Sequence, residues 1–284
     1  MTNNDVIKEM KSETDAYNKL PLTHFDKKFS YEPDVVIASC NYGLHGSENL
    51  AFAGMNLLTS KDFALRLVKS GCQYGLIYFS NALRDDEDVV TAFIDGWGRG
   101  DEVKWASDRL KASEKIMACA VKNNGNALEF ASDALKDNPA MVKLAVKMNC
   151  ESISYASERL RNDRAFILDL VTTTHIAFSF LKDLPECYRS DREIVMNILK
   201  EDHKSFEFVD SELRNDTEVA WQAMISSGLL AAPRVFQYAG PAVQKDADFV
   251  ERVLAVVKEF KPFGRKELIA NIKEIHKTAS RQST

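Results

Sequence analysis

The sequence predicts an all-α fold, an α-solenoid of about eight two-helix repeats with capping helices at both ends. Three observations predict it. A large apolar residue recurs every 24–30 positions, an aromatic residue usually stands five positions before it, and an apolar stripe of helical period follows it. A chain that repeats in this way buries each unit against its neighbours, which is how a solenoid is built.

The recurring apolar residue, called the anchor, ends the first predicted helix of each repeat, helix A. The residue five positions earlier is aromatic in seven of eight repeats, although only 10% of the chain is aromatic. The residue seven positions earlier is always apolar. The predicted anchors are Leu57, Leu83, Leu110, Leu135, Leu160, Leu184, Leu213 and Val243.

The second predicted helix, helix B, follows each anchor after a short polar break. Apolar pairs recur four residues apart, as in Met141-Val142 with Ala145-Val146, and this spacing places them on one face of a helix. Asp or Asn precedes several of these stripes, and both residues cap helix N-termini. Helices of about 8–12 residues are marginal in isolation, so the sequence predicts that the repeats must stack.

The predicted organisation is one structural domain in three parts. Residues 1–33 form an N-terminal capping segment, residues 34–260 the solenoid, and residues 261–284 a C-terminal capping helix with a basic tail. Val35 to Cys40 have the pattern of a lone helix B, which predicts that the array begins on a half repeat. The end of the chain from Thr278 is predicted to be disordered.

Composition narrows the class of protein. The net charge of −5 provides no general attraction to nucleic acid or anionic membranes. No apolar run reaches the 18–20 residues that would span a bilayer, and the polar N-terminus is not a signal peptide. Five dispersed cysteines favour a reducing compartment, so we expect a cytoplasmic protein, with export by a signal-free secretion system as the alternative. Metal-ligand and nucleotide-binding spacings do not occur, so no cofactor is predicted.

One unit, residues 124–147, reads NGNALEFASDALKDNPAMVKLAVK. It resembles the repeat known as domain of unknown function 4116. The resemblance covers residues 60–172 and weakens over residues 173–260. Proteins with this repeat occur in intracellular bacteria, their secreted effectors, phages and large DNA viruses, so the resemblance implies a host- or partner-facing role. It transfers no catalytic residue.

Two features predict a partner-binding surface. Trp97 stands between two glycines in the repeat between Leu83 and Leu110, which is longer than its neighbours. Exposed tryptophans often anchor interfaces, and packing of Trp97 over Trp105 is the simpler alternative. The positions two and six before the anchor point away from the core of helix A, and in three consecutive repeats most of them are acidic. Earlier repeats place mainly apolar residues there, and ordinary solvation is the simpler explanation of the acids. The predicted acidic residues are Asp108, Glu129, Asp133 and Glu158.

These features predict a monomeric, non-enzymatic protein–protein interaction scaffold, encoded by a phage, virus or pathogen, whose partner carries a basic segment. Membrane and nucleic-acid partners are not expected. Two alternatives remain open. An enzyme could use a Cys–His pair at the turns between helix B and helix A, where Cys72, Cys150, His175 and His203 lie. A nucleic-acid binder could use residues 261–284, which hold six basic and two acidic side chains.

Overall fold

The computed structural model describes residues 1–12, 21–42, 46–72, 74–95, 100–174, 180–226, 231–260 and 265–281. These ranges contain helices and turns and no strand, which confirms the predicted all-α class. Contacts between Cα atoms divide the chain into two compact halves, Met1–Asn149 and Cys150–Thr284. The predicted boundaries at residues 33 and 260 remain predictions.

Each repeat contains three helical elements, as residues 124–148 illustrate. A 3-10 helix, Gly125–Phe130, is followed by two extended residues and a one-turn α-helix, Asp133–Lys136. Helix B is Pro139–Met148, and the side chain of Asn138 caps it. We call the first element the leading segment and the second the turn helix.

The predicted helix A is therefore two elements rather than one. Ala131 and Ser132 have extended backbones, with ψ angles of 155° and 156°, which end the leading segment before the turn helix begins. Serine suits this position because its hydroxyl accepts a hydrogen bond from a free N–H group at a helix start. Ser107 and Ser157 each accept such a bond from the N–H three residues on. The recurring Ala-Ser pair thus marks a break within the predicted helix.

The same three elements recur nine times among the described residues. The leading segments are Leu22–His24, Gly46–Phe52, Leu76–Tyr78, Gly100–Trp105, Gly125–Phe130, Cys150–Tyr155, Phe180–Asp183, His203–Phe208 and Ala232–Tyr238. The turn helices are Lys27–Tyr31, Met55–Leu58, Asn81–Arg84, Asp108–Lys111, Asp133–Lys136, Glu158–Arg161, Glu186–Arg189, Ser211–Arg214 and Pro241–Lys245. Helices B are Pro33–Tyr42, Lys61–Lys69, Glu87–Asp95, Glu114–Asn123, Pro139–Met148, Arg164–Thr173, Arg192–Glu201, Thr217–Ser226 and Ala247–Phe260. Two further helices are Asn3–Ser12 and Arg265–Arg281.

A backbone hydrogen bond joins successive repeats. In several repeats, the residue before the turn helix donates its N–H to the carbonyl of the residue after the anchor one repeat earlier. In the N-terminal half, Ser107 donates to Arg84 at 2.9 Å and Ser132 donates to Lys111 at 3.1 Å. The same bond runs from Gly54 to Ser30 and from Ser80 to Leu58, and in the C-terminal half from Asp210 to Arg189 and from Gly240 to Arg214. This ladder sets the register between neighbouring repeats.

The anchors lie in the core between the turn helices and helices B. Leu110 and Leu160 are almost completely buried and Leu135 is 7% exposed, whereas Leu213 is only half-buried. In the first repeats of the N-terminal half the core is aromatic. Phe79 packs between Phe63 and Phe93, with ring centroids 6.2 Å and 5.6 Å away. Burial of such rings is a main source of the stability of each half.

The anchor of the sixth predicted repeat is Tyr188 rather than Leu184. Arg189 accepts the inter-repeat hydrogen bond from Asp210, so Tyr188 occupies the position before it. Tyr188 is buried, and Asp191 caps the helix B that follows. Leu184 is also buried. It is an apolar core residue at the expected spacing, so the sequence pattern alone does not distinguish it from an anchor. The register moves because this repeat contains extra residues before its turn helix.

The predicted half repeat at the start of the array is a complete repeat. Leu22–His24 is its leading segment and Lys27–Tyr31 its turn helix. Ser30 accepts the inter-repeat hydrogen bond from Gly54, as the residue after an anchor does elsewhere. Two short 3-10 turns carry no 3.6-residue apolar period, so the sequence shows only the helix B of this repeat.

The last described helix extends beyond the predicted start of disorder. It runs from Arg265 to Arg281, and Ala279 is buried in it. The prediction of disorder from Thr278 is therefore wrong as far as residue 281. Ile272, which is fully buried, marks the face by which the helix packs on the last repeat. Burial of this face holds the helix in place despite its polar C-terminal sequence.

Buried polar side chains stand eight residues before several anchors and reach the neighbouring repeat. Asn49 accepts a hydrogen bond from the Leu22 N–H at 3.0 Å, and Ser205 lies 3.4 Å from the Leu181 nitrogen. Glu102 occupies the same position and is 3% exposed. A polar group buried at this depth has to be hydrogen-bonded, so these residues reinforce the register that the ladder sets.

Glu102 has no ion-pair partner within 4.0 Å among the described residues. One of its carboxylate oxygens accepts from the Leu76 N–H at 3.0 Å and from the Gly75 N–H at 3.2 Å. Burial raises the pKa of this carboxyl, and the two backbone hydrogen bonds oppose the rise. Folding therefore favours the protonated carboxyl.

Truncating a buried anchor should lower the stability of the folded protein. We expect Leu135→Ala and Leu160→Ala each to lower the free energy of unfolding by about 2–5 kcal/mol, because each leaves a cavity in a close-packed seam. Urea denaturation followed by circular dichroism measures the change. Asp133→Ala, an exposed position on the same turn helix as Leu135, serves as the control and should cost less than about 0.5 kcal/mol. A loss below about 1 kcal/mol at the anchors would show that the assigned core is wrong.

Glu102→Gln should change how stability depends on pH. The stabilisation from a carboxyl with a raised folded pKa is present below its unfolded pKa and is lost as the pH rises through the folded value. Glutamine keeps an acceptor for the Gly75 and Leu76 N–H groups but does not ionise. The variant should therefore gain stability relative to the wild type between about pH 4 and pH 7. Denaturation across this range tests it, with the exposed Glu129→Gln as control; parallel curves for Glu102→Gln and wild type would contradict it.

Candidate interaction surface

The inter-repeat ladder places equivalent side chains of the N-terminal half in a row. The first residue of each turn helix directly follows the residue that donates the ladder bond, so these residues repeat along one edge. A second outward position lies six residues before each anchor, in the leading segment. The two positions together, called the outer row, are Ala51, Met55, Ile77, Asn81, Lys104, Asp108, Glu129 and Asp133. All are exposed except Lys104, which is half-buried.

The first end of the outer row is apolar. Met55 is 69% exposed and Ile77 is 41% exposed, although both are large hydrophobic residues. Phe52 and Tyr31 stand beside them with at least half of their surface in solvent. The Tyr31 ring lies against Gly54, where a Cβ atom would be only 2.4 Å from Cδ1 of the ring. Clustered exposed rings of this kind are characteristic of binding surfaces.

A groove borders this apolar end. It has a volume of about 360 Å³, and Phe52 forms one wall together with Leu22 and Phe25 of the first repeat. Asp26, Lys27, Thr23 and Ser30 provide its polar rim. The groove is therefore large enough to receive one apolar side chain of a partner, with hydrogen-bonding groups at its mouth.

The other end of the outer row is acidic. Asp108 is fully exposed, and the Lys111 nitrogen lies 3.9 Å from one of its carboxylate oxygens. Glu129 and Asp133 are exposed, and within the described part of the chain no cationic side chain lies within 4.0 Å of either carboxylate. Asp108 and Asp133 each begin a turn helix, where a negative charge interacts favourably with free backbone N–H groups. Local structure thus accounts for part of the acidic preference.

One cation lies between the two ends. Lys104 is 3.9 Å from Asp101 and stands over the ring of Trp105, 5.3 Å from the centroid. Its charge is therefore engaged with its own leading segment. The acidic end is continuous from Asp108 onward, and the row as a whole changes from apolar through mixed to acidic.

Trp97 and Glu158, the other two predicted site residues, are not part of the outer row. Trp97 lies outside the described residues. Glu158 is exposed and begins a turn helix of the C-terminal half, at the position equivalent to Asp133. The sequence predicts that positions two and six before an anchor lie on the outward face of one helix A, but in the structure the two positions lie in different elements. Asp108, Glu129 and Asp133 are nevertheless all on the exposed side of the N-terminal half.

The family described as domain of unknown function (DUF4116) matches three adjacent segments, residues 99–136, 138–184 and 191–244. This chain carries tandem repeats of the DUF4116 family. Neither the curated proteins nor the solved structures contain a match to the chain.

The acidic end lies inside the matched DUF4116 segments and the apolar end lies outside them. Asp108, Glu129 and Asp133 fall in the first segment, and Glu158 falls in the second. Residues 22–95 form repeats with the same three elements and the same ladder bonds, although the family match begins at residue 99. The three-element repeat thus continues toward the N-terminus beyond the matched segments, with a different surface.

The predicted Cys–His alternative finds little support in the surroundings of Cys150. Burial raises the pKa of this thiol, and the nearby carboxylates of Asp183 and Glu151 raise it further. A nucleophilic cysteine needs the opposite shift, because the thiolate is the reactive form. Burial lowers the pKa of His203, and His175 lies outside the described residues. No group of three potential metal ligands occurs in the described ranges.

Among the described helices, none combines the length and the apolar content that crossing a membrane requires.

Proposed function

We propose that this protein is a non-enzymatic interaction scaffold whose DUF4116 repeats form one α-solenoid. The ladder bonds and the three-element repeats support the proposal in each half, because both halves extend by adding the same unit. The sequence pattern of anchors continues through residues 34–260 and supports one continuous array. Solenoids present long surfaces on which variable side chains select a partner.

The observation that carries the proposal is the change of chemistry along the outer row. Beneath the outer row the core repeats, with a buried leucine anchor at Leu57, Leu83, Leu110 and Leu135 and a buried apolar pair in the helix B that follows each of them. In the outer row itself, Met55 and Asn81 begin their turn helices at the positions that Asp108 and Asp133 occupy in later repeats. The free N–H groups of the turn helices favour acid at all four positions, so this local effect does not account for the difference.

The surface fits a protein segment with an apolar part and a basic part. The exposed rings of Phe52 and Tyr31 and the adjoining groove would bind the apolar part. The unpaired carboxylates of Glu129 and Asp133 would attract Lys or Arg side chains and set the orientation of the segment. Charge complementarity of this kind accelerates association and selects against wrong partners more than it increases affinity.

Reversing the acidic end should slow association without unfolding the protein. We expect the triple variant Asp108→Lys, Glu129→Lys and Asp133→Lys to bind an apolar–basic peptide, chosen from a display library on the wild type, with an association rate lowered at least about tenfold in low salt. The difference should shrink in physiological salt, where screening is stronger. Stopped-flow measurements at several salt concentrations provide the rates.

The matched control reverses three other exposed acids. Glu212, Asp248 and Glu251 lie in the C-terminal half and make no ion pair within 4.0 Å among the described residues. Their triple lysine variant changes the net charge by the same amount and should bind the peptide at nearly the wild-type rate. Equal slowing of both variants would show a general charge effect, and an unchanged rate in the first variant would exclude the acidic end as the binding surface.

Solution scattering tests the solenoid directly. A compact globular domain of this length would have a radius of gyration of about 19 Å. We expect a clearly larger radius and an extended distance distribution, because nine stacked repeats form a longer body than a sphere of the same mass. A radius near the compact value, measured by small-angle X-ray scattering on the monomer, would contradict the continuous array.

A further inference from the structure

The last described helix, Arg265–Arg281, is held on the final repeat in a fixed orientation. Its apolar face packs on that repeat through Ile272 and Ala279, which are buried. The His276 ring donates a hydrogen bond through Nδ1 to the Gln244 carbonyl, 2.7 Å away. These contacts determine which side of the helix remains in solvent.

Four basic residues lie on that solvent side. They are separated by seven, four and four positions, and residues at these spacings share one face of an α-helix. The set, called the cationic stripe, consists of Lys266, Lys273, Lys277 and Arg281, all of which are exposed. Since a helix rises about 1.5 Å per residue, the stripe is roughly 22 Å long.

The lysines of the stripe have no counter-charge in the described part of the chain. No carboxylate oxygen there lies within 4.0 Å of the side-chain nitrogen of Lys266, Lys273 or Lys277. Glu267 and Glu274, the two acids of the helix, are exposed beside the stripe and form no ion pair with these lysines. The three ammonium groups are therefore available to an external anion.

Positive charge is concentrated at this end of the chain. Residues 261–284 hold six basic and two acidic side chains, although the whole chain has a net charge of −5. Lys245 directly follows Gln244, is exposed, and adds a cation beside the helix. A local cationic surface of this kind attracts polyanions even when the net charge of the protein is negative.

We propose that the cationic stripe binds the phosphate backbone of double-stranded nucleic acid without reading its sequence. A duplex carries about one negative charge per 1.7 Å of its axis, so a stripe of roughly 22 Å faces a dense row of phosphates. Neutralising phosphates releases condensed counterions, whereas a single surface pair between lysine and a protein carboxylate contributes little. Lysine side chains suit this contact because they meet phosphates as point charges on flexible stems.

The structure disfavours two other occupants of the stripe. The apolar face of the helix is already buried against the last repeat, so it is not free to enter the headgroup region of a bilayer. The stripe also has no aromatic side chain on which the bases of a single strand could stack; the position between Lys266 and Lys273 on this side is Ala270. The acidic end of the outer row repels phosphates, so this contact is separate from the proposed protein-binding surface.

The experiment measures binding of the full-length protein to a fluorescently labelled DNA duplex of random sequence, by fluorescence anisotropy. In low salt we expect a dissociation constant on the order of 10 µM. The logarithm of the binding constant should fall with the logarithm of the salt concentration at a slope of about −3 to −4, since about four phosphates are neutralised. A single strand of the same length should bind less tightly.

The triple variant Lys266→Gln, Lys273→Gln and Lys277→Gln should bind the duplex at least about tenfold more weakly, with the salt slope reduced to about −1. It should keep the wild-type circular dichroism spectrum and melting temperature, because the three side chains are exposed and unpaired. The matched control is Lys69→Gln, Lys122→Gln and Lys147→Gln. These lysines are also exposed on helices, and their variant changes the net charge equally but should bind almost as the wild type does.

The proposal is overturned if the wild type does not bind the duplex in low salt. Equal loss of affinity in the stripe variant and the control variant would overturn it too, because it would reveal a general charge effect. Binding to polyglutamate as tight as binding to the duplex would show attraction to any polyanion. Tighter binding to the single strand would show that the bases, rather than the duplex backbone, are recognised, and either result excludes the contact proposed.

Discussion

A backbone hydrogen bond from the residue before a turn helix to the carbonyl after the preceding anchor connects successive repeats within each half. The turn helices are only four or five residues long, and the leading segments are mostly 3-10 helices. Neither element is stable in isolation, because the conformational entropy lost in nucleating a helix exceeds the stabilisation gained from a single turn. Each repeat consequently depends on the register of the one before it. Where Pro185 occupies the donor position it has no N–H to offer, and the anchor register there is also altered.

Buried polar groups strengthen this register, although their burial removes them from water. Asn49, Glu102 and Ser205 stand at equivalent positions and each accepts from a backbone N–H of the neighbouring repeat. A shift of one residue between repeats would leave these groups unpaired in the core, which is far less favourable than the bonded arrangement. Glu102 is the extreme case, because a carboxyl is buried there without a counter-charge. Specific pairing between repeats is thus maintained partly by buried polar groups that would lose their hydrogen bonds if the register changed.

The separation of core and surface explains how the repeats can carry a binding function. Anchors and helix B stripes satisfy the packing, so the outer row is free to differ from repeat to repeat. In the N-terminal half it changes from the exposed rings near Gly54 to the carboxylates of Glu129 and Asp133.

The sequence alone determined the all-α class, the buried anchors such as Leu135 and Leu160, and the cap at Asn138, because apolar period and capping chemistry are local properties of the chain. It also indicated the exposed acids Asp108, Glu129 and Asp133. Only the tertiary structure showed that helix A is two elements, that Tyr188 is the sixth anchor, and that residues 22–42 form a complete repeat. It also showed that Glu102 is buried. These features depend on hydrogen bonds and contacts between repeats, and residues about 25 positions apart leave no local pattern from which such pairing can be read.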